Sequence, residues 1–86
     1  MTYRVRLFAR FRDLAQADTV EVDLPQGATV GDLRLRLSTL CPSIAALLNR
    51  SGVAVDDEFA EDTLALPPNA DIALVPPVSG GGGDSG

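Results

Sequence analysis

The chain has 86 residues, is 45% hydrophobic and 22% charged, and carries a formal net charge of −5, enough for one small domain. An acidic surface repels nucleic-acid phosphates, so the expected partners are proteins presenting basic patches. There is no histidine, which removes the commonest general acid/base and metal ligand. No apolar run approaches the roughly 20 residues that span a membrane, and the N-terminus has no apolar signal segment, so a cytoplasmic protein is expected.

Tyr3, Val5, Leu7 and Ala9 alternate with Arg4, Arg6, Phe8 and Arg10, the period-two pattern of a first strand. A second strand is expected over Thr19–Leu24, with Val20, Val22 and Leu24 on one face and Thr19, Glu21 and Asp23 on the other. If the two pair antiparallel, Arg4 and Arg6 face Glu21 and Asp23. The connection "RFRDLAQAD" leaves room for a helical turn, and "PQG" at 25–27 reads as a turn. Thr29 is placed to cap a helix with Asp32 at its third position, and Val30, Leu33, Leu37 and Leu40 form its apolar stripe. Pro42 stops that helix, and "SIAALLN" predicts a second, shorter one. "VAVDDEFA" reads as a tight hairpin turning at Asp56-Asp57. "EDTLALPPNAD" is irregular, and Asp71–Pro77 is the last strand, ended by its prolines. The predicted order is β-β-α-β-β-β. Two hairpins embracing one main helix predict an α+β β-grasp, with a mixed sheet of about five strands and the first and last strands parallel at its centre. Residues 1–78 form the domain and 79–86 a flexible Gly-rich tail.

Side chains for catalysis are missing from this pattern. No Cys/His cluster has metal-ligand spacing, and the glycines lie in a tail rather than between a strand and a helix. Asp56, Asp57, Glu58, Glu61 and Asp62 lack the spacing of a calcium loop and read as a solvated hairpin face. Cys41, the single cysteine, reads as a small boundary residue. The tail "VPPVSGGGGDSG" remains. A functionless end or linker remnant is one reading. The other is that side-chain-free residues thread a narrow channel and deliver a C-terminal carboxylate to another protein's active site.

"LFARFRDLA" near the front and "IALVPPVSGG" near the end resemble the MoaD family of ubiquitin-like sulfur carriers, the small subunits of molybdopterin synthase. The resemblance covers residues 3–81 and is most specific at the two ends. It implies a ubiquitin-like fold and a non-catalytic sulfur-donor subunit that binds no cofactor. An ATP-dependent adenylyltransferase of the ubiquitin-activating type activates the terminal glycine. The glycine becomes a thiocarboxylate and gives its sulfur to the pyranopterin precursor inside the large synthase subunit. By the same resemblance Gly81, with Gly80 before it, is the site of activation. Phe8, Phe59, Val75, Pro76, Pro77, Val78 and Ser79 meet the partners. Half-buried packing is the competing role for Phe8, Phe59 and Val75. Arg12 matches an arginine of the family whose expected role is a loop-fixing ion pair.

Members of that family end at the Gly-Gly pair, whereas here Gly82–Gly86 follow. Trimming by a processing peptidase after Gly81, activation of Gly86 itself, and a junction to a following domain are the three readings, with trimming preferred. Other functions are a carrier for thiazole, cysteine or a secondary metabolite, a ubiquitin-like protein modifier, and an inert interaction module.

Overall fold

The computed structural model describes residues 1–77; the expected sites Val78, Ser79, Gly80 and Gly81, and the tail as a whole, lie outside the described residues. The described chain runs β1 (Thr2–Leu7), α1 (Arg10–Ala15), β2 (Thr19–Asp23), α2 (Val30–Leu40), α3 (Ala45–Leu48), β3 (Gly52–Val55), β4 (Glu58–Ala60) and β5 (Ile72–Val75), with a single 3₁₀ turn at Pro42–Ile44 before α3. The five strands form one mixed sheet in the order β2-β1-β5-β3-β4, with β1 and β5 parallel and the other pairs antiparallel. This is the predicted β-grasp.

Alternation in the strands sorts the sheet into two faces. Tyr3, Val5, Leu7, Val22, Val53, Val55, Ile72 and Leu74 point inward and are buried with Val30, Leu33 and Leu37 of α2, Phe11 of α1 and Ile44 and Leu48 beyond α2. α2 starts as expected. The Thr29 hydroxyl accepts the Asp32 N–H and the Asp32 carboxylate accepts the Thr29 N–H, a reciprocal cap. The irregular segment after β4 continues the capping. The carbonyls of Leu64 and Asp62 accept the Val30 and Gly31 N–H groups, which have no partner inside their own helix.

Several expectations are corrected. β1 stops at Leu7, because Ala9 adopts φ 49°, ψ −123° and turns the chain into α1. Arg6 does not face Asp23. The register sets Arg4 opposite Glu21, Arg6 opposite Thr19 and Asp23 opposite Thr2. Arg6 instead pairs with Asp71 at 2.9 Å, and Asp23 meets the N-terminal amine. Leu40 is 47% exposed. It is the last residue of α2, and the turn through Pro42 brings Ile44 to the core in its place. The hairpin turns at Asp56-Asp57, both at positive φ as a two-residue type I′ loop requires.

Ala9 holds a conformation that glycine adopts far more readily, at a cost of about 1–3 kcal/mol. Ala9→Gly is therefore expected to stabilise the domain by about 1 kcal/mol, after allowing for the greater freedom of glycine in the unfolded chain. Thermal melting checks this, with a rise of about 5 °C expected.

Candidate functional site

The outer face of the sheet differs in its two halves. On β1 and β2 it carries Arg4, Arg6, Thr19, Glu21 and Asp23. On β5, β3 and β4 the same face presents Ala73 and Val75, Gly52 and Ala54, and Phe59. The register sets Ala54 opposite both Ala73 and Phe59, and Gly52 opposite Val75. Leu7 lies beside Leu74 in the parallel pair, so Phe8, one residue on, follows toward the level of Val75. Phe8 is 45% and Phe59 74% exposed, and Val75 is half-buried. The three expected apolar contact residues thus share one small-residue platform at the end of the sheet where the chain leaves it.

Two arrangements hold the aromatic rings. A Cβ on Gly52 would lie 2.7 Å from Cε1 and 2.9 Å from Cδ1 of Phe59, so glycine is what lets that ring lie across β3. The Arg6 guanidinium stands 5.6 Å from the centre of the Phe8 ring, a cation–π approach, while also reaching Asp71. Gly52, Ala54 and Ala73 were not singled out in the sequence. Their signal was the period-two alternation of "GVAV" and "IALV", which puts every second residue on the outer face.

β5 ends at Val75, with Pro76 half-buried and Pro77 exposed at the root of the tail. Both prolines fix φ and lack an N–H, so the ladder stops here. Among the described residues no group of acidic, cysteine or histidine side chains is placed to hold a metal ion. Two carboxylates of the acidic cluster are engaged within the fold. Asp62 accepts Arg34 Nε at 2.8 Å, and Asp56 accepts the Asp71 N–H at 3.0 Å. Cys41 is half-buried against the core. Arg12 is exposed and makes no ion pair among the described residues, so the loop-fixing role is not seen there. No helix among the described residues is long and apolar enough to cross a membrane.

A profile of the ThiS family matches residues 5–81, ending on the Gly80-Gly81 pair. The chain is 32% identical over 82 residues to the molybdopterin synthase sulfur carrier subunit of Dictyostelium discoideum, covering 92% of this chain and 95% of that one. Its fold is similar to the crystal structure of SAMP1, a small archaeal modifier protein of Haloferax volcanii, with a TM-score of 0.82, 30% identity and 93% and 99% of the two chains covered. The fold is also similar to a chain in the complex of subunits 1 and 2 of the Helicobacter pylori molybdopterin-converting factor, with a TM-score of 0.67, 20% identity and 93% and 99% covered.

Proposed function

Because the chain belongs to the ThiS family, where it stands with the molybdopterin synthase sulfur carrier subunits, we propose that it carries sulfur on the carboxylate of a C-terminal glycine. The single observation that carries this reading is the family match that runs through Gly80-Gly81, a few residues past the rigid stop at Pro76-Pro77. The domain is a handle and the tail is the reagent.

Chemistry assigns the order of events. A carboxylate is a poor electrophile. Its oxygen attacks the α-phosphorus of ATP on an adenylating enzyme and releases pyrophosphate. A sulfur nucleophile then displaces AMP from the acyl-adenylate and leaves a thiocarboxylate. Inside the large synthase subunit the thiocarboxylate sulfur bonds to a carbon of the pyranopterin precursor as a C–O bond at that carbon breaks and its oxygen leaves, and water at the acyl carbon then breaks the carrier's C–S bond and returns the carboxylate. None of these steps uses a side chain of the carrier, in keeping with a chain that has no histidine. Where the chain continues past Gly81, the following peptide bond must be cut first, so a peptidase precedes adenylation. All of this takes place in the cytoplasm. Phe8, Phe59 and Val75 form the docking face for the large subunit. A relative's place in a complex of subunits 1 and 2 supports that choice of partner.

Likeness to a small archaeal modifier protein favours a second reading, covalent attachment of the same activated glycine to protein amines. One strain separates the two. Deleting the gene is expected to abolish molybdopterin and every molybdoenzyme activity, and both return with the intact chain. Normal molybdopterin in the deletion strain, together with loss of covalent adducts on cellular proteins, would instead establish the modifier.

A further inference from the structure

We propose that Gly52 is a positioning residue for docking: by leaving room for the Phe59 ring, it joins that ring to the apolar patch that meets the large subunit. This rests on the docking-face reading above.

β4 is an edge strand of the sheet, and Phe59 stands on it at 74% exposure. A side chain there has two ways to lie, out over the free edge or back across β3. The ring takes the second. A Cβ on Gly52 would lie 2.7 Å from its Cε1 and 2.9 Å from its Cδ1, well inside the separation at which carbon atoms attract. Phe59 is paired with Ala54, so the ring reaches diagonally, two residues along β3. Beyond Gly52 the register continues to Val75 on β5, on the side of Phe8.

The backbone does not ask for glycine at this position. Among the glycines of the described residues only Gly27 has a positive φ, so the conformation of Gly52 is open to any residue. The three atoms nearest to an added Cβ all belong to the Phe59 ring. A glycine inside a strand weakens it. No core packing offsets that loss, because Phe59 is mostly in solvent. What the glycine provides is a ring already laid toward Val75 before the partner arrives, which spares the ordering of that side chain on binding. A methyl group at position 52 would tip the ring toward the free edge and leave the buried core as it is.

The test is equilibrium binding of the full chain to the purified large synthase subunit of the same cells, with Gly52→Ala, Phe59→Ala and the double variant, each also melted. Gly52→Ala is expected to weaken binding about tenfold with no fall in melting temperature. In the Phe59→Ala background the same change is expected to alter affinity by less than about twofold, because the ring through which it acts is gone. Wild-type affinity in Gly52→Ala, beside weakened binding in Phe59→Ala, would overturn the proposal. An equal loss from Gly52→Ala in both backgrounds would also overturn it, since that marks an effect of the strand rather than of the ring. Unchanged binding in Phe59→Ala defeats the docking-face reading itself, and this inference with it.

Discussion

A chain truncated after Pro77 is expected to fold and to support no molybdopterin synthesis. The buried core lies between Tyr3 and Leu74, and every strand of the sheet is complete by Val75. Truncation keeps every core side chain and every strand found among the described residues, so melting is expected within a few degrees of the full chain. Loss of product should nevertheless be complete, because in the proposed mechanism the removed residues carry the reacting carboxylate. A subtler variant, Gly80→Val, keeps the chain length and adds a branched side chain where a narrow channel must close on backbone. It is expected to block sulfur transfer with unchanged melting. Measured molybdopterin in a complemented deletion strain, with melting of the purified variants, checks both results. Normal pterin from the truncated chain would remove the tail from the mechanism.

The largest stability effect is expected at Arg34. Its guanidinium, 20% exposed, reaches three acceptors: the Leu48 carbonyl at 2.6 Å, the Ser51 carbonyl at 2.8 Å and the Asp62 carboxylate at 2.8 Å. It thereby ties α2 to the end of α3 and to the segment after β4, and it places a cation at a helix C-terminus. Arg34→Met keeps much of the stem's packing but leaves the part-buried Ser51 carbonyl without its donor and the Leu48 carbonyl with the Ser51 N–H alone. A cost of about 3 kcal/mol is expected, or roughly 15 °C in a domain of this size. Arg34→Lys should recover only part of it, since an ammonium lacks the planar fork that serves three directions. Asp62→Asn should cost under about 1 kcal/mol, because that carboxylate is largely exposed. Thermal unfolding of the three variants checks the order, and a small loss in Arg34→Met would show that the carbonyls are served by water.

Arg34 also shows where the sequence stopped being legible. Helical spacing puts it off the apolar stripe, and nothing local announces that α3 and the Asp62 segment fold back to meet it. The same limit applies to Arg6, whose partner Asp71 is 65 positions away and is decided by the parallel pairing of β1 with β5. Local chemistry was readable. The Thr29–Asp32 cap, the stop at Pro42 and the Asp56-Asp57 turn each depend on a few adjacent residues, and each stands where expected. Phe8 was legible as an apolar residue alternating with the arginines of the first strand, whereas Phe59 was reached only through the family resemblance. The platform beneath them was not legible, because Gly52, Ala54 and Ala73 acquire meaning only when β3 and β5 are set side by side.

The most direct test of the central claim is the intact mass of the chain isolated from its own cells with the proteins that bind it. The account predicts a species ending at Gly81 in which one carboxylate oxygen is replaced by sulfur. A chain bound to its large subunit, still extending to Gly86 and bearing no sulfur, would contradict it.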